Sequence, residues 1–261
     1  MRLEGDPPLR PACAPRRTGS AQPVLALLRS WLFAAALLCA SASSFTVHAA
    51  TADPVKIGII GTGHIGGALA KLWVRAGHEV LISSRHPEEL KSLAAALGPR
   101  ARVGTPREAA LFGPVVLVSV PYKALPQVGE ELRGELADKV VLDTCNPYPE
   151  RDGPMALEAR QVGTGVASPR FLPGVRLVRA FNAINYRDLE QLAHRSGEPV
   201  AIPLAGDDPQ ALAVAQALVR DAGFEPVVVG PLSRAREFDV GTSTYTRTMT
   251  APQLRAALHL P

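Results

Sequence analysis

The 261-residue sequence predicts an α/β fold: a doubly wound (Rossmann-type), mostly parallel sheet in a single domain with a short C-terminal extension. Three observations predict it. Short apolar runs alternate with segments of helical character from Val55 onward. The first run opens at once into a glycine-rich turn. An amphipathic stretch and a second apolar run follow, in the order of a βαβ unit.

Val55 to Ile60 is a short apolar run suited to a strand buried on both faces. Gly61-Thr62-Gly63-His64-Ile65-Gly66 follows with the spacing G-x-G-x-x-G. Gly61 permits the tight turn, Gly63 lets a pyrophosphate approach the backbone, and Gly66 lets the helix pack close to the strand. A helix from about Ile65 to Ala76 points its N-terminal N–H groups at the phosphates. Ala68, Leu69, Leu72 and Trp73 give it an apolar face, and Gly77 ends it. The second strand runs from Glu79 to Ser83. An NAD site carries Asp or Glu at this tip, for the ribose 2′-OH. Here the residues are Ser83, Ser84 and Arg85. Two hydroxyls and a guanidinium suit a 2′-phosphate that a carboxylate would repel, so NADP(H) is expected over NAD(H).

The next elements read as a helix over Pro87 to Leu97, a strand over Ala101 to Gly104 and a short helix over Pro106 to Leu111. Val115 to Val120 is a buried strand ending in Pro121-Tyr122, followed by a helix over Ala124 to Leu136. Strands follow at Lys139 to Asp143, Val175 to Arg179 and Ala201 to Ala205. A helix over Pro209 to Ala222, for which Asp207-Asp208 offer a cap, precedes the strand Glu225 to Val229. Ligands of such sheets bind beyond the carboxyl ends of the strands. That rule gathers Val120-Pro121, Asn146-Pro147 and Phe181-Asn182 around one crevice with residues 61–66. Pro121 and Pro147 are expected as rigid walls. Asn146 and Asn182 can hydrogen-bond a carboxamide or an acceptor ring, and a loop-capping role serves each equally well. Asn182 is the candidate catalytic residue on the acceptor side.

Residues 1–50 differ from the rest. Arg16, Arg17 and Arg29 precede an apolar core over Trp31 to Ala40, and small residues lead to Val47-His48-Ala49. This pattern reads as a secretory signal with cleavage after Ala49 or Ala50. An uncleaved anchor starting at Val24 and a misplaced start codon are the alternatives. The chain is therefore expected in the periplasm or outside the cell if the signal is real, and in the cytoplasm otherwise. A membrane contact is expected only for the uncleaved anchor. Without the leader's five arginines and two carboxylates, 23 basic residues face 22 acidic ones. That near balance argues against nucleic-acid binding. Only Cys145 lies beyond the leader, so no disulfide can form within the domain. The six histidines show no metal-ligand spacing, and no G-x-S-x-G is present.

Beyond the fingerprint, the chain carries VSVPY at 118–122, NP at 146–147, AFNAI at 180–184, PLAGDD at 203–208 and GPLSRAREFD at 230–239. With IGIIGTGHIGGALA and the SSR tip, these residues resemble the NADPH-dependent coenzyme F420 (deazaflavin) reductases. They are also similar to the reductase domain of the STEAP metalloreductases. The resemblance covers residues 55–240 and leaves 241–261 as a tail with a helix over Ala251 to Leu258. It implies a domain that binds NADP(H) and exchanges hydride with F420, FMN or FAD, a small-molecule redox acceptor. It also implies that the turn Thr62 to Ile65 holds pyrophosphate and that Ser83, Ser84 and Arg85 hold the 2′-phosphate. Where the F420 reductases carry His-Thr near the reacting rings, this chain has Asn182-Ala183. The alternatives are a non-catalytic NADPH-binding sensor and a reductase of a small carbonyl or imine. The tail either closes the crevice or pairs subunits in a homodimer.

Overall fold

The apolar runs become strands because both of their faces are covered. Residues 53–261 are described by the computed structural model, so the leader and every expectation placed on it lie outside the described residues. The strands are β1 Lys56–Ile60, β2 Glu79–Ser83, β3 Ala101–Gly104, β4 Val115–Val118, β5 Val140–Asp143, β6 Arg176–Arg179, β7 Ala201–Gly206 and β8 Glu225–Gly230. The helices are α1 His64–Arg75, α2 Lys91–Leu97, α3 Pro106–Phe112, α4 Leu125–Glu131, α5 Arg133–Leu136 and α6 Pro149–Asp152. They continue with α7 Pro154–Val162, α8 Thr164–Phe171, α9 Tyr186–Leu192, α10 Pro209–Asp221 and α11 Ala251–Ala257. A short 3₁₀ turn at Pro87–Leu90 begins the stretch read as one helix over Pro87 to Leu97, and another at Tyr122–Ala124 leads into the stretch read as one helix over Ala124 to Leu136.

The strand order is β3-β2-β1-β4-β5-β6-β7-β8. The winding therefore reverses between β1 and β4, and their carboxyl ends diverge into a crevice. Ile60 at the end of β1 sits opposite Ser83 of β2 and Val118 of β4. One strand pair departs from the parallel pattern. β6 and β7 are antiparallel, with Arg179 opposite Ala205. Alternation of strands and helices does not reveal this. The connection through α9 and residues 193–200 brings the chain back along the other direction.

Side chains of each strand divide between two cores. Ile57, Ile59, Ile82 and Leu117 face Leu69, Trp73, Leu218 and Phe224. Ile60, Val116, Val118 and Val141 face Ala109, Leu125, Leu136 and Ala167. The second layer includes α7 and α8, which the sequence reading left without elements. The tail forms its own cluster: Leu254 and Leu258 pack with Val227, Val229 and Phe238. α11 therefore covers the β7–β8 edge. Asp208 caps α10 as expected, accepting the N–H groups of Gln210 and Ala211 at 2.8 Å each. Asp207 instead accepts the N–H of Leu232. Among the described residues no helix is long and apolar enough to cross a membrane.

Trp73 is fully buried where α1, α10 and the turn after β6 meet. Its indole Nε1 donates to Leu218 O at 2.9 Å, and its ring meets Phe181 edge to face with centroids 6.2 Å apart. Trp73→Ala is expected to lower the free energy of unfolding in urea by about 3–5 kcal/mol. Trp73→Phe should cost less, since it keeps much of the volume and loses one hydrogen bond. A loss below roughly 1 kcal/mol for the alanine variant would contradict this packing.

Candidate active site

The glycine turn is built to leave backbone donors free. Gly61 has φ +95°, and a Cβ there would lie 2.3 Å from Ser119 O. A Cβ on Gly66 would lie 2.2 Å from Gly61 O, so this contact admits only glycine. Gly63 is different: nothing lies within 4 Å of its Cβ direction, which opens onto solvent. It is also the N-cap of α1, so no side chain caps that helix, and its first turn holds no acidic residue. The first N–H groups of α1 thus face open space beside the positive dipole end, an arrangement that suits phosphate.

The tip of β2 divides into two parts. Ser83 O accepts from Gly61 N–H, Thr62 N–H and Thr62 Oγ1 at 3.0–3.1 Å, which ties the turn to β2. Ser83 itself is fully buried, and its hydroxyl donates to Ile59 O at 2.7 Å. The expectation that the Ser83 hydroxyl faces a phosphate is therefore corrected. As the last residue of β2, its side chain points into the sheet. Ser84 and Arg85 lie past the strand and do reach the surface. Ser84 Oγ accepts the N–H of His86 at 2.9 Å. Arg85 is exposed and pairs with no carboxylate among the described residues.

The crevice holds about 360 Å³. Gly63, His64 and Ile65 line one side, Ser119 to Pro121 another, and Thr144, Asn146, Tyr148, Arg151 and Tyr186 the rest. Of the residues assigned from the sequence, Gly63, His64, Ile65, Val120, Pro121 and Asn146 reach it. Pro147 is buried and outside its lining. Asn182 is also outside it, with a side chain that is 0 % exposed and an Nδ2 that donates to Phe238 O. Phe181, at φ +57°, turns the chain so that its ring enters the core and Asn182 falls behind the crevice. Asn182 therefore acts through its backbone: its carbonyl oxygen accepts from Asn146 Nδ2 at 2.8 Å. That leaves Asn146 Oδ1 buried with no partner among the described residues.

A buried charge pair underlies the floor. Arg179 Nη1 lies 2.8 Å from Asp143 Oδ2, and both side chains are fully buried. Nη1 directs its hydrogens at the carbonyls of Asp143 and Cys145, at 3.1 and 3.0 Å. The carboxylate contact is thus a charge contact more than an aligned hydrogen bond, and Asp143 Oδ2, Arg179 Nε and Nη2 have no hydrogen bond among the described residues. Burial opposes the Arg179 charge, but Asp143 and Asp239 more than restore it, and its pKa is raised. Burial and then Asp143 push the Cys145 thiol well up, so it is a packed thiol and a poor nucleophile.

Aromatic residues complete the site. His64 and Tyr186 stack with centroids 4.5 Å apart at the crevice mouth. Tyr148 and Tyr245 share a hydroxyl hydrogen bond. Burial raises Tyr245, and its bond to Tyr148 raises it further. Arg151 Nη2 donates to Asn146 O at 2.7 Å and pairs with Asp152. Burial alone would raise the Asp152 carboxyl, yet bonds from Arg151 and the N–H groups of Tyr148 and Lys123 hold it below its ordinary value. The sequence reading missed Tyr148, Arg151, Tyr186 and Tyr245. Tyr148 had a usable signal, since it follows Asn146-Pro147 past a strand's carboxyl end. Tyr245 had none, because it arrives from the tail. A larger hollow of about 770 Å³ lies at the other end of β6. Of its charged groups, Arg176 and Asp208 are paired with each other at 2.7 Å, and Asp207 accepts the N–H of Leu232.

The family profile described as NADP oxidoreductase, coenzyme F420-dependent, matches residues 56–147. The F420-dependent NADP reductase of Methanothermobacter thermautotrophicus is 31% identical over 198 residues, which cover 70% of this chain and 84% of that protein. The metalloreductase STEAP3 of Rattus norvegicus is 30% identical over 187 residues, 70% of this chain. This chain spans only 36% of the length of STEAP3. A solved structure of a hypothetical protein from Sinorhizobium meliloti shares the fold with a TM-score of 0.63 at 23% identity, covering 76% of this chain and 95% of its own.

Arg179→Met is expected to destabilise the domain by about 3–5 kcal/mol, because it strands the Asp143 charge without its partner. Adding Asp143→Leu should recover part of that loss. Urea unfolding of the two variants checks both statements, and a double variant less stable than the single one would contradict them.

Proposed function

This chain belongs to the coenzyme F420-dependent family of NADP oxidoreductases, and on that premise we propose that its crevice passes hydride between NADP(H) and a flavin or deazaflavin acceptor. The observation that carries the reading is the alignment of three unsatisfied groups along the sheet's carboxyl edge. They are the uncommitted Arg85 beyond β2, the uncapped N terminus of α1 beyond β1, and the unpartnered Asn146 Oδ1 beyond β5. They match in order a 2′-phosphate, a pyrophosphate and a carboxamide.

Each group has a distinct task. Ser84 and Arg85 would hold the 2′-phosphate, with Arg85 as the cation. The backbone from Thr62 to Ile65 would hold the pyrophosphate, and Gly63 leaves the space for it. Asn146 would orient the nicotinamide by accepting its carboxamide N–H, which satisfies an otherwise costly buried oxygen. Pro121 and Val120 would form the wall behind the ring. When bound, the reduced nicotinamide supplies hydride. Direct transfer between two stacked rings needs proximity and orientation first. The His64–Tyr186 stack narrows the crevice mouth and supports an acceptor with a flat ring.

Purified protein with NADPH and a panel of F420, FMN, FAD and ferric chelates, followed at 340 nm, tests the transfer. Oxidation of NADPH by at least one flavin or deazaflavin is expected. NADPH bound but oxidised by none would favour a non-catalytic binding protein. Arg85→Ala should weaken NADPH by about 1–3 kcal/mol, the scale of one charge-assisted contact, and leave NADH nearly unchanged. Equal losses for the two nucleotides would refute the assignment of the β2 tip.

A further inference from the structure

The hydroxyl network on the acceptor side of the crevice is anchored at one amide. Asn146 Nδ2 sits 2.8 Å from the carbonyl oxygen of Asn182, which can only accept. That contact settles which end of the Asn146 amide carries the nitrogen. The same Nδ2 donates to the hydroxyl oxygen of Tyr245 at 3.3 Å. Tyr245 is half-buried, and its own hydrogen needs an acceptor. The Tyr148 hydroxyl oxygen is the acceptor in reach among the described residues. Asn146 Nδ2 and the Tyr245 and Tyr148 hydroxyls therefore form one hydrogen-bonded chain, in which either tyrosine can donate to the other.

Tyr148 is the end of that chain. Its hydroxyl bonds that of Tyr245, and either oxygen can be the donor. Its residue lines the crevice. The Arg151 guanidinium lies 5.1 Å from the centroid of the Tyr148 ring. Asp152 holds that guanidinium and also takes the Tyr148 N–H at 3.0 Å, so both groups are fixed from behind. Tyr148 is thus a crevice O–H group with a hydroxyl and a cation arranged to steady the charge left after it gives up its proton.

We propose that Tyr148 is the proton donor that completes reduction of the acceptor. The inference rests on the reading of this crevice as a hydride-transfer site. Two-electron reduction of a flavin or deazaflavin adds one hydride to the ring and one proton to a ring nitrogen. The hydride comes from the reduced nicotinamide, which is left as its oxidised cation. The Tyr148 O–H bond breaks as the new N–H bond forms. The resulting phenolate keeps the hydrogen bond from Tyr245 and the neighbouring charge of Arg151. A solvent proton restores Tyr148 after the product leaves. Tyr245 is a positioning residue in this scheme.

Tyr148→Phe and Tyr245→Phe in the full chain test the assignment. NADPH affinity is read by fluorescence titration. Single-turnover oxidation of NADPH by FMN and by F420 is read at 340 nm in H2O and in D2O. Tyr148→Phe should bind NADPH within about twofold of the unsubstituted protein, lose roughly 10²-fold in rate and lose the solvent isotope effect. Tyr245→Phe should lose less rate and keep the isotope effect, because the donor itself remains. An unchanged rate and isotope effect in Tyr148→Phe overturns the donor and leaves the hydride reading standing. A loss of NADPH affinity as large as the loss of rate also overturns it, since that is the mark of a structural role. Failure of the unsubstituted protein to oxidise NADPH with either acceptor overturns the reading and the donor together.

Discussion

The buried pair of Arg179 and Asp143 is the constraint on which the crevice floor depends. Arg179 ends β6, and Asp143 ends the neighbouring strand β5. The guanidinium reaches the carbonyls of Asp143 and Cys145 and lies 3.5 Å from Asp239. Asp239 in turn takes the N–H and hydroxyl of Thr164 at the start of α8. Asp143 Oδ1 accepts the N–H of Cys145 and so fixes the first step of the loop that carries Asn146. One cation thereby joins two strand ends, a helix and the segment leading to the tail. A charge pair this deep contributes little net stability, since desolvation offsets most of the attraction. Its effect is on geometry: neither partner can move without stranding the other.

The crevice inherits its polarity from that floor. Asn146 is held by a backbone carbonyl on one side and by the Arg151 guanidinium on the other, the latter at its own carbonyl. Its amide cannot flip without placing oxygen against oxygen. The flip would also break the donation to Tyr245. The unpartnered Oδ1 is then a consequence of structure, because every other position around the amide is taken. A buried acceptor left open in this way costs free energy until a ligand donor meets it. At the opposite wall the same logic governs α1, whose first N–H groups have no capping side chain. The protein holds both costs in place at the two ends of one crevice.

Much of the fold was legible because it rests on local rules. The strand Glu79 to Ser83 and the strand Ala101 to Gly104 have the bounds expected from their apolar runs. The fingerprint's three glycines serve three distinct needs: positive φ at Gly61, open space at Gly63 and close approach at Gly66. What escaped was set by tertiary packing. The antiparallel pairing of β6 with β7 depends on a return path that has no periodic signature. α7 and α8 carry modest apolar faces interrupted by Pro169 and by polar residues, and they form because they cover β5 and β6. The candidate site was legible where position along a strand decides exposure, as at Pro121 and Asn146. It misled at Ser83 and Asn182, where one residue more or less past the strand end turns the side chain inward. Ser83 is the last paired residue of β2, and its carbonyl rather than its hydroxyl serves the turn.

The contrast between Ser83 and Arg85 also separates what the fold requires from what nucleotide choice requires. Ser83 O collects three donors from the glycine turn, and any residue at that position offers the same carbonyl. The hydroxyl adds a bond to Ile59 O that stabilises the strand pair and lies out of reach of a ligand. Ser84 and Arg85 stand beyond the last ladder bond, where no sheet contact constrains the side chain. A guanidinium there costs the fold nothing and would meet a phosphate in a partly solvated setting. Its attraction is then modest and salt-dependent. On the proposed reading, discrimination between nucleotides would come from the absence of a carboxylate as much as from the presence of the cation. On the proposed reading, the tip of β2 would select by what it leaves unopposed, while the floor of the crevice would select by what it holds rigid.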